Sequence, residues 1–416
     1  MDEISASSFD IVSLRRRTIR TLSFAAAASS IGAFASLTIG GVLGREMLSK
    51  SLASLPLAFF SLGIASTPIP LSRFMSHLGR RPGLSIGYLL GAAGSVSCAL
   101  AVGSRSVALL LIGMFLIGAA YSTSFMSRYA AADLVEPSAR GKAIGRVTWA
   151  LVVGALVGPN LLAPLNHAGM KLGLGDQTGA LWVGAAGMLI ASGIIWLWLK
   201  PDPLHVSRAL AIAGDSEVTT TSSMTWGQML DSGQVKVCLL AMGLVQFVMV
   251  LVMSISAVHI VSHHGALTFV GIVLSSHFVG MFGLSPLVGI VVDRFGRRRA
   301  MGAGQTLVLI GGATAALFPL SNAALIAALF TIGCGWNLNI VGGSALLIDA
   351  VPQSSRPKIQ GLADFVTGSM SVLASVFASL ILAGIGFGGL GLLGAVLMLI
   401  PLAMVRKIAA PAASAA

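Results

Sequence analysis

Asp364 is the one acidic side chain that the sequence sets well inside an apolar run. It lies six residues beyond Lys358, roughly 9 Å along a helix rising 1.5 Å per residue. An ionisable group in such a place is costly, and its usual reason is function. Reversible protonation there would couple a proton gradient to other work. The competing reading makes Asp364 a structural partner of Arg356 or Lys358. His277, about ten residues into its own run, is the second titratable candidate; its competing role is a hydrogen bond between helices. Gln246 has a similar depth, roughly 15 Å. The segment GCGWNLN puts Trp336, Asn337 and Asn339 near the middle of another run, and Tyr121, Ser122, Thr123 and Ser124 follow one another in a fourth. Tyr121, Gln246, His277, Trp336 and Asn337 are the substrate-binding candidates. Aromatic and amide groups with little charge suit a neutral heterocycle. The same groups also serve as packing contacts, and Asn337 as a cap for a kink beside Gly333 and Gly335.

Chemistry of other kinds finds no support. The sequence has no HExxH, no GxSxG and no phosphate-cradling glycine loop. Cys98, Cys238 and Cys334 lie in apolar runs without metal-ligand spacing and read as packing thiols. His259, His263 and His264 fall at the end of a run and are expected as solvated loop residues. No catalytic residue, cofactor or metal is expected, and the chain is not read as an enzyme.

The elements that carry these residues must lie in a bilayer. Only 10% of the 416 residues are charged, against about 25% in soluble domains, and the mean hydropathy is +0.91. A span needs about 20 apolar residues. Twelve are read: 21–43, 50–73, 84–103, 106–130, 143–165, 178–199, 234–258, 267–292, 300–320, 322–348, 359–383 and 387–405. The 50 glycines fit closely packed membrane helices. The polar stretch 200–233 separates a half at 21–199 from a half at 234–405, with tails at 1–20 and 406–416. With the amino terminus inside, 22 of the 26 Lys and Arg fall on the cytoplasmic side, as the positive-inside rule requires. Both termini and 200–233 are therefore expected in the cytoplasm. The net charge of +12 reflects that orientation and not a nucleic-acid partner. SLRRRTIRTLSFAAAASS is similar to a cleaved export signal, but its removal would leave eleven spans and spoil the charge asymmetry.

The tripeptide GRR occurs twice, 217 residues apart, in FMSHLGRRPG and VVDRFGRRRA. A second repeat runs at nearly the same offset. Asp133, Arg140, Lys142 and Gly145 of DLVEPSARGKAIG match Asp349, Arg356, Lys358 and Gly361 of DAVPQSSRPKIQG. Two loops repeating together indicate a duplicated six-span unit. GIVVDRFGRRR at 289–299 resembles the G-x-x-x-D-R-x-G-R-R loop of the major facilitator superfamily. That resemblance covers the chain. It implies an all-α integral membrane fold of twelve transmembrane helices, in two six-helix pseudo-repeat halves around a central cavity. It also implies gating by Asp293, Arg294, Gly296, Arg297 and Arg298, with Gly79, Arg80 and Arg81 in the first copy. There Ser72, Ser76 and His77 replace the loop's first Gly, its Asp and its Arg. A latch is therefore expected to rely on the second copy, or on Asp133 with Arg128.

Gly145, Gly154, Gly158 and Pro159 are similar to a fifth-span pattern often seen in drug:proton antiporters, although Leu162 and Ala163 replace its closing glycines. Met114 stands where the family has a fourth-span arginine. SRYAAADL, GPNLL, GMFGLSP and GWNLNIVGGSALLIDAVP look similar to a bacterial branch with both exporters and vitamin importers. The resemblance implies a monomeric secondary carrier in the inner membrane, coupled to protons, taking up a solute such as riboflavin. The alternatives are a drug or metabolite:proton efflux antiporter and, from another class, a membrane-embedded sensor.

Overall fold

Turn chemistry explains where the helices begin. Asp10 accepts from the Val12 and Ser13 amides at 3.1 and 3.3 Å and opens α1 (Ile11–Met47). Ser106 accepts from the Leu109 amide ahead of α5 (Val107–Ala132), and Ser321 from the Ala324 amide ahead of α15 (Asn322–Asp349). Each side chain satisfies an amide that the first helical turn leaves open. This computed structural model describes residues 10–48, 52, 55–171, 178–214, 224–263 and 267–406. Among them it contains helices and turns and no strand.

The remaining helices of the first part are α2 (Leu55–Ser66), α3 (Pro68–Leu78), α4 (Arg80–Ser104), α6 (Arg140–Asn160), α7 (Leu162–Lys171), α8 (Gly179–Trp198) and α9 (Pro203–Gly214). Then come α10 (Trp226–Asp231), α11 (Gly233–Ser262), α12 (Leu267–Phe278), α13 (Ser285–Phe295), α14 (Arg297–Leu317), α16 (Arg356–Leu397) and α17 (Leu399–Arg406). Ten described helical stretches are long and apolar enough to cross a bilayer, or eleven when the pair bent by 44° at Phe269–Gly283 and Ser285–Phe295 is one span. With α1, which contains the expected first span, the fold is that of a twelve-helix transporter.

Glycine makes the corner in each GRR loop. Gly79 joins α3 to α4 at φ 99°, and Gly296 joins α13 to α14 at φ 89°. That region of backbone space favours glycine because it has no Cβ. Gly386, at φ 69°, turns the chain inside the continuous run of α16. The expected separation of the last two spans thus corresponds to a single-residue corner. The expected eighth span is interrupted: a π-helical turn at Val279–Gly283 separates α12 from α13, whose second residue is a proline.

Two compact units result: Met1–Ser223 with Pro352–Gly368, and Met224–Val351 with Ser369–Ala416. In the first, α1 packs on α5, α6 and α8, and α4 packs on α5 and α8. Its apolar core includes Phe60, Met114, Ile117, Leu181 and Met188. The first turns of α16 belong here by close approach. A Cβ on Gly368 would lie 2.8 Å from Ala65 Cα, and one on Gly361 would collide with Ser72 Oγ. In the second unit, α11, α12, α13 and α14 all pack on α15.

Candidate functional site

In the first unit, α4 leaves Gly79 directly through Arg80, so the guanidinium is carried inward with the helix. Arg80 is fully buried and grips Asp133 with both arms of its fork. Nε lies 2.8 Å from Oδ2, and Nη2 lies 3.3 Å from Oδ1. Nη2 also donates to Gln360 Oε1 at 2.6 Å. The planar fork matches a carboxylate bidentately. Asp133 was expected to pair with Arg128; it pairs with Arg80 instead, because it follows α5 at the level of the GRR corner, where Arg80 starts the next helix.

Arg128 sits on the preceding turn of α5 and turns elsewhere. Its Nη2 donates to Asp364 Oδ1 at 2.6 Å and to Tyr129 Oη at 2.8 Å, and its Nη1 donates to the Phe125 carbonyl at 2.5 Å. Tyr129 Oη donates to Asp364 Oδ1 at 3.4 Å. Asp364 therefore has its ion pair with Arg128, 236 residues away in the chain, and not with Arg356 or Lys358. Its second oxygen, Oδ2, is buried without a hydrogen-bond partner among the described residues.

The first GRR loop also has a carboxylate that its own segment lacks. Asp202 Oδ2 accepts from the Arg81 amide at 2.7 Å, and Oδ1 accepts from the Leu204 amide at 2.9 Å. One aspartate thus serves the starts of α4 and α9. Arg81 donates to the Trp196 carbonyl at 2.8 Å, with its guanidinium 4.1 Å from the Trp196 ring centre. Ser76 is half-buried and accepts from Arg208 at its carbonyl, while His77 is exposed.

Tyr121, also on α5, stands among three phenylalanines. Its ring centre lies 5.7 Å from Phe34, 5.6 Å from Phe60 and 5.1 Å from Phe125. The nearby hydroxyls turn back on the helix: Thr123 donates to the Ala119 carbonyl and Ser124 to that of Ala120. Gly154 and Gly158 of α6 face α1. A Cβ at Gly158 would lie 2.9 Å from Phe34 Cβ, and one at Gly154 would collide with Ser30. Gly145 is buried on the same helix; the Pro159 side chain lies outside the described residues.

The second unit carries the duplicate pair: Arg297, first residue of α14, binds Asp349. These two side chains are 20% and 19% exposed, against 0% and 2% for Arg80 and Asp133. Asp293 and Arg298 are half-buried, and Arg294 is exposed.

A neutral polar chain crosses three helices of this unit. Trp336 Nε1 of α15 donates to Gln246 Oε1 of α11 at 2.6 Å, and Gln246 Nε2 donates to Ser371 Oγ of α16 at 2.8 Å. Trp336 is buried and Gln246 is half-buried. His277 and Asn337 do something different. His277 Nδ1 bonds the Leu329 carbonyl at 2.7 Å, and its Nε2 has no partner among the described residues. Asn337 Nδ2 donates to the Gly280 carbonyl at 3.3 Å and its Oδ1 accepts from Ser285 at 3.0 Å. Asn337 therefore braces the π turn of a neighbouring helix, where the freed backbone needs partners. The expected cap was for its own helix.

His259 is also not a solvated loop residue. It is buried, its ring stacks on Phe387 at 4.1 Å, and its Nε2 bonds the Pro319 carbonyl at 2.7 Å. Beyond the apolar part of α11, burial lowers its pKa. His263 Nδ1 bonds the His259 carbonyl; His264 lies outside the described residues.

Asp202, Tyr129, Gln360 and Ser371 complete these clusters and were not singled out in the sequence. Asp202 had a visible signal, the PDP turn directly after the sixth span. Gln360 precedes the repeated Gly361. Ser371 has no local signal.

The family model described as Major Facilitator Superfamily matches residues 18–264 and again 237–415. The Bacillus subtilis (strain 168) protein YddS, an uncharacterised transporter of that type, is 32% identical over 93% of this chain and 89% of its own. The riboflavin transporter RfnT of Brucella anthropi is 28% identical over 89% of this chain and 90% of its own. Among solved structures, the E. coli fucose:proton symporter FucP covers 97% of this chain and 100% of its own at TM-score 0.67 and 14% identity. The proton:xylose symporter XylE bound to 6-bromo-6-deoxy-D-glucose covers 96% and 95% at TM-score 0.69 and 17% identity. These two likenesses bear on the fold alone.

Proposed function

This chain belongs to the major facilitator superfamily of membrane transporters, and from that premise we propose that it is a secondary active carrier of a small neutral heterocycle. It works by alternating access in the bacterial inner membrane and is driven by protons. The observation that carries the solute class is the chain Trp336–Gln246–Ser371. It offers amide and hydroxyl groups and an indole face, with no formal charge. Riboflavin is the first solute to test, since a relative is a riboflavin transporter. Purified protein in proteoliposomes should accumulate riboflavin when the outside is made acidic. Gln246→Ala should lower uptake at least about tenfold, the weight of one lost polar contact to a buried ligand. No riboflavin movement by folded, reconstituted protein would remove this substrate.

Asp364 is the proposed proton site, because one oxygen is held by Arg128 and the other is buried with no hydrogen-bond partner among the described residues. Asp364→Asn should abolish accumulation against a gradient and spare exchange. Uphill transport that persists and is collapsed by a protonophore would make His277 the next candidate. Efflux is the second reading, favoured by the close approach of Gly154 and Gly158 to α1. Inverted vesicles distinguish the two by the direction of accumulation.

Both termini and residues 200–233 are proposed to be cytoplasmic. Cysteines introduced at Ser222 and Ser414 should resist impermeant thiol reagents added to intact cells. Ready labelling of either would contradict that orientation.

A further inference from the structure

The first helix carries cations that neither the GRR loops nor the polar clusters use. Arg15 is engaged: its Nε donates to the Leu134 carbonyl at 2.5 Å, and Nη1 pairs with Glu136 at 3.3 Å. Arg16, Arg17 and Arg20 are exposed, with no ion pair or hydrogen bond among the described residues. Ser13, Arg16, Arg17, Arg20 and Phe24 recur at intervals of three and four and form one stripe on α1. With Thr21 and Trp198 they line a groove of about 520 Å³. Three guanidiniums this close repel one another unless an anion lies between them.

The groove changes character along its length. Its start is arginine; its continuation is Phe24 and Trp198, 62% and 52% exposed. Trp196 and Leu197 beside them are as exposed. Tryptophans with wet and apolar sides gather at the level of lipid headgroups. A free phosphate would need only the arginine end. A ligand that fills the whole groove is anionic at one end and apolar at the other.

We propose that this groove is a binding site for an anionic phospholipid, with its phosphates held by Arg16, Arg17 and Arg20 and an acyl chain lying along Phe24 and Trp198. Guanidinium forks grip phosphate oxygens bidentately. Three of them exceed the need of one phosphate and suit a two-phosphate lipid such as cardiolipin. The site lies wholly in the first unit and is independent of the transported solute.

Full-length protein in neutral detergent is titrated with cardiolipin, phosphatidylglycerol or phosphatidylcholine, and bound lipid is counted by native mass spectrometry. Wild type should prefer cardiolipin over phosphatidylcholine, and excess pyrophosphate should fail to displace it. Replacing all three arginines by glutamine should weaken cardiolipin binding on the order of 100-fold, at about a factor of five per cation near the surface. Lys236→Gln with Arg299→Gln, which removes two exposed cations elsewhere, should leave it unchanged. Replacing the three arginines by lysine keeps charge and insertion intact and should weaken binding by several-fold, since an ammonium lacks the fork. Phe24→Ala with Trp198→Ala should lower the preference for lipid over pyrophosphate. Equal retention of phosphatidylcholine by wild type, or full cardiolipin binding by the glutamine or lysine variant, would overturn the site. Ready displacement by pyrophosphate would overturn the lipid and leave a free-anion site.

Discussion

The two GRR loops share one motif, and burial separates them. In the first unit the Arg80–Asp133 pair is sealed off, bidentate, and joined by Gln360. In the second unit Arg297 and Asp349 hold the same relation about one-fifth exposed. A buried pair that loses one partner leaves an uncompensated charge, at a cost of about 3–5 kcal/mol. A pair within reach of water loses much less, at most about 1 kcal/mol. The motif is thus the same and its energetic weight is not. On the proposed alternating-access reading, the first copy would act as a fastening, and the second would be the one able to open and close.

Asp133→Leu should be the most damaging single change in either loop, since it removes both carboxylate acceptors of the buried Arg80. Its thermal midpoint in detergent should fall far more than that of Asp349→Leu. Equal falls would erase the distinction drawn from burial. Arg128→Gln belongs in the same class, because it strands Asp364 in the first unit. It should abolish proton-driven accumulation and lower stability together, whereas Asp364→Asn keeps a hydrogen-bonding partner for Arg128 and should mainly affect coupling.

Asp202→Ala should cost about 1–2 kcal/mol, the usual weight of a lost helix cap, since two helix starts lose an acceptor. This sharpens the contrast, because the Asp202 brace belongs to the first loop. The glycines test it from the backbone side. Gly296→Ala should cost about 1–3 kcal/mol for its backbone alone, because φ 89° with ψ 145° is a region open essentially only to glycine. Gly79→Ala should cost more, because its Cβ would also strike Asp202. Asp293→Asn should reduce transport without a large loss of stability, and Ser76→Ala should do almost nothing, within about 0.5 kcal/mol. Loss of transport by both to the same extent would contradict an asymmetric gate.

The sequence exposed features with local causes. Apolar length revealed the spans, and the need for positive φ at Gly79 and Gly296 is written into the repeat itself. Partners distant in the chain were hidden. Asp364 was weighed against Arg356 and Lys358 because they are near in sequence, yet its helix brings it to Arg128 on α5. Asp133 was matched to Arg128 for the same reason, whereas the neighbouring helix start delivers Arg80. The π turn at Val279–Gly283 gave no periodicity signal, so the role of Asn337 in bracing it could not be seen. His259 was misjudged because solvation at a helix end depends on what packs there; here Phe387 covers it.

A pair of double-mutant cycles tests the division between the loops most directly. Arg80→Met and Asp133→Leu form one cycle, and Arg297→Met and Asp349→Leu form the other, each read as stability of the purified protein. Coupling isolates the pair from the separate cost of each change. The first cycle should give a coupling of about 3 kcal/mol and the second about 1 kcal/mol or less. Equal couplings, or a larger value for Arg297–Asp349, would contradict the assignment of the fastening to the first copy.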